Sequence, residues 1–468
     1  MAVREFLEQK IREAFPYEPT PCQDELFSRL PAFLTGEGDI MIVNGYAGTG
    51  KTEAMGAAVR AMKALNLRFR LMAPTGRAAK VLAGYTGEKA TTIHKQIYRQ
   101  KSMDAGGGSF VLDLNKDRRT CYIVDEASLI TIEAGSSLFG SGNLLEDLLD
   151  YIRQGEGNTL ILVGDNAQLP PIGLDRSPAL DPSYVGMYGH VDYVLLDKVV
   201  RQADASGILF NATVVRHAIV TGACEEYPRL ETRGFTDVER IGGGELIEAL
   251  DDAIGRYGID ETVVLCRSNK RANRYNQGIR GAVLFREEAL SRGDRLMVVK
   301  NCYQFLEKIE ELDFIANGDI AELIRISNYE ERYGLHFAEA VLAFPDYGDV
   351  EITAKVILDT LTSETASLPA EQQSALYEGV FTDYSDISTK RKRNAAVRED
   401  PYYNALQIKY STAITCHKSQ GGQWKCVFVD NAFWQDILTV EDLKWLYTAL
   451  TRATEKLYLV NFNKKFFG

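Results

Sequence analysis

The residues with the clearest chemical potential form a glycine-rich octapeptide, GYAGTGKT, at positions 45–52. It follows an apolar run and precedes a stretch of good helix formers. Glycines let such a loop wrap tightly, so that backbone N–H groups and the N-terminus of the next helix face a phosphate. Lys51 would neutralise the β- and γ-phosphates, and Thr52 would place its hydroxyl on Mg²⁺. The predicted nucleotide-binding residues are Gly45, Gly48, Thr49, Gly50, Lys51 and Thr52. A plain glycine turn is the alternative.

An acidic pair, Asp125 and Glu126, ends the apolar run CYIVDEAS (121–128). An aspartate after a buried strand is placed to hold Mg²⁺ beside Thr52, and Glu126 could polarise the attacking water as a general base. The pair could instead cap a helix, but the upstream phosphate loop favours catalysis. A GTPase would carry an Asn-Lys-x-Asp motif, and the nearest match, at 269–272, lacks the aspartate.

Short apolar runs recur along the chain and predict the elements that position these residues. They are DIMIVNG (39–45), FRLMAPT (69–75), CYIVDEAS (121–128), NTLILVGD (158–165), DYVLLD (192–197), ETVVLCRS (261–268), KCVFVDN (425–431) and KLYLVNF (456–462). Continuous runs of this kind suit strands buried on both faces of a parallel sheet. Polar residues at their carboxyl ends fit ligand binding at that edge. The fold class is therefore α/β, with two cores.

Two segments interrupt this pattern. Residues 96–119 predict a hairpin with Gly106, Gly107 and Gly108 at its tip, and residues 331–405 predict an inserted domain that is β-rich or irregular. A basic run at 390–393 could grip phosphates, although a solvated loop is the default interpretation. The predicted division is 1–95 and 120–222 for the first core, 96–119 for the hairpin, 223–330 and 406–468 for the second core, and 331–405 for the insertion.

Length and composition bound the class of protein. At 468 residues, with 45% hydrophobic and 25% charged residues, the chain is expected to be globular and to contain several domains. A net charge of −12 argues against coating nucleic acid over the whole surface but allows a local basic channel. No apolar run approaches the roughly 18 residues of a membrane span, and the N-terminus predicts an amphipathic helix rather than a signal peptide.

The seven cysteines are scattered and form no CxxC pair, so neither a zinc site nor a disulfide framework is expected. Cys121, Cys266 and Cys426 lie in or beside apolar runs and are predicted to be small core residues. This cysteine usage fits a reducing compartment, and we expect a cytoplasmic protein.

A tract at 164–171, GDNAQLPP, resembles helicase motif III. The resemblance continues in order: Gln23 is similar to the Q motif, APTGRAA (73–79) to motif Ia, TIH (92–94) to the element after it, VRQ (200–202) with Ser206 to motif IV, TCHKSQGG (415–422) to motif V, and YTALTRA (447–453) to motif VI. The set is typical of superfamily-one helicases of the 5′-to-3′ class, the RecD, Dda and Pif group. The sequence is most similar to stand-alone RecD-like and Dda-like enzymes, over residues 20–330 and 405–462. Gly422 and Gln423 depart from the usual motif V.

The resemblance implies two RecA-like P-loop cores with ATP between them, and roles for particular residues. Arg452 would be an arginine finger, Arg201 a second γ-phosphate contact, and Gln168 a γ-phosphate sensor. Gln23 and Gly421 would join the ATP site. The alternatives are a surface ion pair for each arginine, a loop-capping amide for Gln168 and a solvated helix face for Gln23. Together with Lys51 and Glu126, the first three make up the predicted catalytic set.

The resemblance also nominates a nucleic-acid track. Its members are Thr75, Arg77 and Thr92 from the first core and Arg267, Asn269, Thr415, His417 and Lys418 from the second. Hydroxyls, amides and a few cations suit a phosphate backbone read without sequence preference. Phe110, in the hairpin, is the candidate strand-separating wedge, with a buried strand residue as the alternative. His417 could equally be a structural core histidine.

The implied function is an ATP-dependent, Mg²⁺-dependent DNA helicase that moves 5′ to 3′ on single-stranded DNA and unwinds duplexes, in DNA repair, recombination or replication. It is expected to act as a monomer. Two alternatives stay open. One is a DNA-stimulated accessory ATPase of a recombination or nuclease complex, and the other is an RNA-remodelling helicase, because the motifs do not encode a 2′-hydroxyl preference.

Overall fold

A computed structural model of the protein describes residues 2–100, 110–132, 140–200, 206–224, 226–302, 304–305 and 315–467. The chain begins with two helices, α1 (Ala2–Ala14) and α2 (Pro21–Ala32). Leu7 and Ile11 lie one turn apart on α1 and are buried, so the amphipathic N-terminal helix predicted from the sequence is confirmed.

The first half of the chain alternates strands and helices. Its strands are β1 (Ile40–Gly45), β2 (Arg68–Ala73), β3 (Ala90–Thr92), β4 (Tyr98–Gln100), β5 (Phe110–Leu112), β6 (Thr120–Val124), β7 (Thr159–Gly164) and β8 (Val191–Leu196). Its further helices are α3 (Lys51–Ala64), α4 (Gly76–Thr86), α5 (Ile93–Ile97), α6 (Leu144–Arg153), α7 (Pro182–Val185) and α8 (Gly207–Thr221).

Six of these strands form one parallel sheet in the order β3-β2-β6-β7-β1-β8. Alternate residues of β1 enter separate hydrophobic clusters, Met41 and Val43 on one face and Ile40 and Ile42 on the other. Both faces of the sheet are therefore covered, which explains why its strands read as continuous apolar runs. The five strands predicted in this half are confirmed.

The predicted hairpin is present as an antiparallel pair, in which Tyr98, Arg99 and Gln100 of β4 face residues 112, 111 and 110 of β5. The three glycines expected at its tip lie outside the described residues. Residues 113–119 form a loop after β5, so the hairpin is shorter than predicted.

The second core is a five-stranded parallel sheet in the order β16-β10-β17-β18-β9. Its strands are β9 (Val238–Ile241), β10 (Thr262–Cys266), β16 (Ala413–Thr415), β17 (Trp424–Asp430) and β18 (Ala453–Val460), and its helices are α9 (Leu246–Tyr257), α10 (Asn269–Ala282) and α13 (Val440–Leu450). Cys266 and Cys426 are buried in this sheet, as Cys121 is in the first, which confirms their predicted core positions. The seven cysteines all lie among the described residues, and none of them forms a disulfide.

A closed barrel interrupts the second core. Its strands are β11 (Arg295–Val298), β12 (Ile320–Arg332), β13 (Leu335–Phe344), β14 (Val350–Ile357) and β15 (Leu406–Tyr410). Helices α11 (Ala370–Asp383) and α12 (Lys390–Glu399) connect the last two strands. The basic run at 390–393 thus opens a helix rather than lying in a loop.

Two predicted domain boundaries were wrong. The insertion was expected at 331–405, yet the barrel begins at Arg295 and ends at Tyr410, because closure requires β11, most of β12 and β15. The first core was expected to reach residue 222, yet Ile208 and Val215 of α8 share a cluster with Leu446 of α13. Helix α8 therefore packs as part of the second core. In the described ranges, no helix has the length and apolar character to cross a bilayer.

Candidate functional site

The phosphate loop connects β1 to α3 through residues 46–50. Gly48 and Gly50 have φ angles of +75° and +72°, a left-handed conformation that favours glycine. A Cβ atom on Gly50 would lie 2.7 Å from Nε2 of Gln23. The N–H of Val200 donates to the Gly48 carbonyl at 3.1 Å, which brings the segment leading to Arg201 onto the loop. Arg201 itself lies outside the described residues.

Lys51 is folded back onto this loop. Its Nζ donates to the carbonyl oxygens of Gly45, at 2.5 Å, and Tyr46, at 3.0 Å. Thr52 follows in the first turn of α3, at the helix end where backbone N–H groups attract anions. The loop therefore presents a cation, a hydroxyl and a helix N-terminus together, which fits the phosphates of ATP.

The acidic pair follows β6 directly. The Asp125 carboxylate accepts a 2.9 Å bond from the Glu126 N–H, and Glu126 has a φ of +52°, an uncommon angle for a side-chain-bearing residue. Burial raises the pKa of Asp125 to about 6, the Glu126 charge adds to the shift, and the Lys51 charge opposes it. A divalent cation would offset the repulsion between the two carboxylates, so the pair suits Mg²⁺.

Gln23 is fully buried, and both ends of its amide are bonded. Its Oε1 accepts from the Thr20 N–H at 2.8 Å, which caps α2, and its Nε2 donates to the Thr49 carbonyl at 2.9 Å. The solvated helix face considered as an alternative is therefore wrong. Gln23 braces the phosphate loop from behind, and its contact with adenine stays a prediction.

Motif III follows β7 and lies against the second core. Asp165 is 1% exposed, and its carboxylate accepts from the Ala167 N–H at 2.9 Å and from the Tyr447 hydroxyl at 2.7 Å. The same hydroxyl accepts a 2.8 Å bond from the N–H of Ala47 in the phosphate loop. Tyr447 thus connects helix α13 of the second core to the phosphate loop and to motif III of the first.

A second link between the cores centres on the backbone of Leu169. Its N–H donates to Oγ1 of Thr448 at 2.9 Å, and its carbonyl accepts from Nε2 of Gln420 at 2.6 Å. Gln168, the preceding residue, is 6% exposed, and its Oε1 has no hydrogen-bond partner within the described part of the chain. Motif III therefore touches motifs V and VI beside a buried acceptor that is free to bind.

Sequence reasoning missed the residues that make these links. Tyr447, Thr448 and Gln420 lie inside motifs that the sequence does show, but nothing in their spacing predicts a role. A buried tyrosine within a motif is a weak signal at best, because its partners lie hundreds of residues away.

Arg452 is 3% exposed and is bonded within its own core. Its guanidinium donates to the carbonyls of Thr448 and Gly422, both at 3.1 Å, and to the hydroxyl of Thr451 at 3.2 Å. The surface ion pair considered as an alternative is wrong. A contact between Arg452 and the γ-phosphate requires these bonds to exchange, and it stays a prediction.

The first-core track residues lie at the carboxyl ends of β2 and β3. Thr75 caps α4 by accepting from the Ala78 N–H, and Thr92 caps α5 by accepting from the Lys95 N–H, each at 3.2 Å. Arg77 is engaged between the cores instead: its guanidinium donates to the Gln423 carbonyl at 2.9 Å and stacks 3.9 Å from the Trp424 ring centre.

The second-core track residues lie at the equivalent sheet edge, after β10 and β16. Arg267 forms a 2.5 Å ion pair with Asp442 at the start of α13. Lys418 bonds to Asn317 of the barrel, and burial lowers its pKa to about 8. Asn269, Thr415 and Lys418 line one small cavity, and burial lowers the pKa of the neighbouring His417. The structure therefore brings the predicted second-core residues together.

Two assignments do not fit their positions. Gly421 was assigned to ATP, but a Cβ there would lie 3.2 Å from both Ala78 Cβ and Thr75 Oγ1, which places it beside a residue of the predicted track. Phe110 was the candidate wedge, but it is 7% exposed in a cluster with Ile97 and Leu144. The buried alternative describes Phe110 because β5 packs its first side chain inward.

Comparison with known proteins is consistent with this geometry. The AAA domain family matches residues 23–231, and the UvrD-like helicase C-terminal domain matches residues 410–460. The ATP-dependent RecD2 DNA helicase of Deinococcus radiodurans is 25% identical over 433 residues, which cover 90% of this chain and 46% of the relative. These matches support a resemblance to the RecD-like helicases of superfamily one. The chain spans about half the length of the RecD2 relative.

Solved structures of Pif1 helicases can be aligned with most of the chain. The Bacteroides Pif1 helicase in complex with ADP-AlF3 and single-stranded DNA is 14% identical, covers 97% of this chain and 95% of that one, and has a TM-score of 0.48. Pif1 helicase from Candida albicans is 16% identical, covers 96% of each chain and has a TM-score of 0.40.

Proposed function

We propose that the protein is an ATP-driven motor that moves 5′ to 3′ on single-stranded DNA and unwinds duplex DNA. The observation that carries this proposal is the Tyr447 hydroxyl, which bonds at once to Ala47 in the phosphate loop and to Asp165 of motif III. A nucleotide bound at the loop must therefore act on a joint between the two cores, as a motor requires.

Hydrolysis would use residues from both cores. Lys51 would leave the carbonyls of Gly45 and Tyr46 for the β- and γ-phosphates, and Glu126 would accept a proton from the attacking water. Thr52 and Asp125 would hold Mg²⁺, which neutralises charge on the phosphate oxygens. Arg452, and Arg201 beyond the described segment, would stabilise the γ-phosphoryl group as the cores close.

The coupling route to the track runs through motif III. Gln168 offers a buried oxygen that has no partner among the described residues, and the next residue, Leu169, bonds to Thr448 and Gln420. Gln420 follows Thr415, His417 and Lys418 in the same tract. A change of bonding at Gln168 would therefore shift these second-core track residues relative to Thr75 of the first core. A motor that holds its strand at one site on each core needs such a displacement.

The choice of DNA and of direction rests on the family resemblance. The RecD2 relative is named an ATP-dependent DNA helicase, and RecD-like and Pif-like enzymes move 5′ to 3′. The track residues are hydroxyls, amides and cations suited to a phosphate backbone, so a sequence-independent grip is expected.

Unwinding of duplexes that carry only a 5′ or only a 3′ overhang, each built in DNA and in RNA, tests this proposal. We expect ATP-dependent unwinding of the 5′-tailed DNA duplex and little of the other three. Preference for a 3′ tail would contradict the proposed 5′-to-3′ direction of movement. Equal unwinding of RNA duplexes would contradict the proposed preference for DNA. The Lys51→Ala variant is the control for unwinding that does not depend on ATP.

A further inference from the structure

A cavity of about 700 Å³ opens at the carboxyl edge of the second sheet, outside the site described above. It lies where β9, β17 and β18 end, and it is lined by Arg240, Arg271, Asp430, Trp434, Asn461 and Phe462, among others. Ligands of open α/β sheets bind at this edge, so its position is that of a binding site. The mechanism proposed above uses none of these residues.

The most unusual side chain at this cavity is Trp434, which is 72% exposed. The protein has three tryptophans, and the other two, Trp424 and Trp445, are 5% and 1% exposed. An indole ring left in water next to a polar cavity is a stacking platform for a planar ligand, because any nucleobase offers a π-face.

Two guanidinium groups line the same cavity as the ring, and both are held in place. Arg271 makes two bonds to Asp430, at 2.8 and 2.5 Å, and the Tyr275 hydroxyl donates to the same carboxylate at 2.7 Å. Arg240 donates to the Phe462 carbonyl at 2.9 Å and stacks 4.6 Å from the Phe467 ring centre. Among the side chains that line the cavity, two guanidinium groups accompany one carboxylate, so the lining can bind an anionic ligand.

The cavity is linked to the predicted track through hydrogen bonds. Arg267 pairs with Asp442, and the same carboxylate accepts a 3.1 Å bond from Nε2 of Gln435, the residue next to Trp434. Arg267 follows β10 directly, and Arg271 lies in the first turn of α10. The residues nominated to bind the strand and the cavity therefore share the carboxyl edge of the second sheet.

We infer that this cavity is a further nucleotide subsite of the track, in which a base stacks on Trp434 and its phosphate is bound by Arg271 and Arg240. The inference rests on the proposed function, since it extends the single-stranded DNA beyond Arg267. The strand would then be held at the carboxyl edge of the second sheet, by residues that include none of the phosphate loop.

A protein partner would use the same segment differently. Ile437 and Val440 are 63% and 41% exposed close to Trp434 along the chain, so an apolar contact would include them. The arginines and the link to Arg267 favour DNA, because an apolar partner gains nothing from either. Binding of DNA should depend on Trp434 alone, whereas binding of a protein should depend on both Trp434 and Ile437.

Acrylamide quenching of intrinsic tryptophan fluorescence, with and without oligo(dT) of increasing length, tests the inference. Trp434 dominates the quenchable signal, since the other two rings are buried. We expect oligo(dT) above a threshold length to protect Trp434 from acrylamide. The Trp434→Phe variant should lose this protected fluorescence but keep most of its affinity for oligo(dT). Trp434→Ala should weaken oligo(dT) binding on the order of 10-fold, which corresponds to the loss of one base–aromatic stack.

Ile437→Ala is the matched control in the same segment, and its affinity for oligo(dT) should equal that of the unmodified chain. Trp434 that stays open to acrylamide while oligo(dT) is bound would overturn the subsite but leave the motor intact. Equal effects of Trp434→Ala and Ile437→Ala on self-association or on a protein partner, without change in DNA affinity, would assign the surface to protein. Absence of any oligo(dT) binding in the unmodified chain would instead reject the proposed function.

Discussion

Arg452 can act on a phosphate only if it exchanges bonding partners. Its guanidinium is buried and donates to Thr448, Gly422 and Thr451 of its own core. Closure of the cores around ATP would supply the exchange, because a triphosphate is a stronger acceptor than two carbonyls and a hydroxyl. The same bonds show that the residue also supports motifs V and VI.

Arg452→Lys separates these two roles. Lysine keeps the charge but cannot make the planar fork, so ATP turnover is expected to fall by about 10³-fold or more, as for loss of an arginine finger. DNA binding, measured by fluorescence anisotropy, should stay measurable. A variant that loses turnover and DNA binding together, with a lower melting temperature, would show that Arg452 is structural.

Asp125 makes the nucleotide-free protein sensitive to pH. Its pKa is about 6, above the ordinary 3.8, so the folded protein holds more protons than the unfolded chain between these values. Stability therefore falls as pH rises through this window, and the full penalty is present above pH 6. Without Mg²⁺ and nucleotide, Asp125→Asn should gain about 1–3 kcal/mol in unfolding free energy at neutral pH and progressively less toward pH 4.

Urea unfolding at several pH values measures this effect. Asp251→Asn, at an exposed position of α9, is the control and should change little at any pH. A less stable Asp125→Asn protein at neutral pH would contradict the account of the acidic pair.

At the residue scale, the sequence predicted the groups whose chemistry is local. Lys51, Thr52, Asp125 and Glu126 are recognisable because each follows a strand in a short motif. The joint at Leu169 could not be predicted, because its bonds to Thr448 and Gln420 use backbone atoms and span more than 200 positions, 279 and 251 respectively. Backbone bonding leaves no side-chain signature in a sequence.

At the scale of elements, helix α13 is the part that joins the nucleotide site to the second core. Tyr447→Phe removes one hydroxyl and leaves the Ala47 N–H without its acceptor and Asp165 without one donor. Loss of a buried bond to a charged group is worth about 1.5–3 kcal/mol. We expect lower stability by urea unfolding and weaker stimulation of the ATPase by single-stranded DNA.

Tyr458→Phe is the matched control, since that ring stacks on Phe428 in the sheet of the same core. If single-stranded DNA stimulates the ATPase activity of Tyr447→Phe as strongly as that of the control, the Tyr447 hydroxyl takes no part in coupling.

Phe110 packs the β4–β5 hairpin against the first core and is not exposed as a strand-separating wedge. Phe110→Ala should destabilise the protein by about 3–5 kcal/mol, as expected for a buried phenylalanine, and should lower unwinding and ATPase activity together. Leu114→Ala, at a 64% exposed position just beyond β5, should change neither the melting temperature nor the activity. Selective loss of unwinding in Phe110→Ala at an unchanged melting temperature would restore the wedge hypothesis.

Strands buried on both faces were predictable, and the barrel was not. The runs that became β1, β7, β10 and β17 are apolar throughout because helices cover both faces. Strand β12 has an exposed far half and irregular pairing with β13, so its residues show no clean alternation. Closure of the barrel also joins β11 and β15, which are separated by more than 100 residues, and no local pattern reports such a pairing.

At the scale of the whole molecule, the proposed binding of DNA, a polyanion, must be reconciled with a net charge of −12. The proposal therefore requires cations to be concentrated along the predicted track, as Arg267 and Lys418 would be in the second core. The barrel contacts the first core beside this region: Lys80 of α4 pairs with Asp346 at 3.2 Å, and a Cβ on Gly76 would lie 2.5 Å from the Tyr347 hydroxyl oxygen. The first core, the second core and the barrel would thus all border the predicted track.

If nucleotide and single-stranded DNA act on one joint between the cores, ATP hydrolysis must respond to DNA. The most direct measurement is therefore steady-state ATP hydrolysis with and without single-stranded DNA. We expect strong stimulation by oligo(dT), dependence on Mg²⁺, and no turnover by Lys51→Ala although that variant still binds DNA. Hydrolysis at the same rate with and without any polynucleotide would contradict the account.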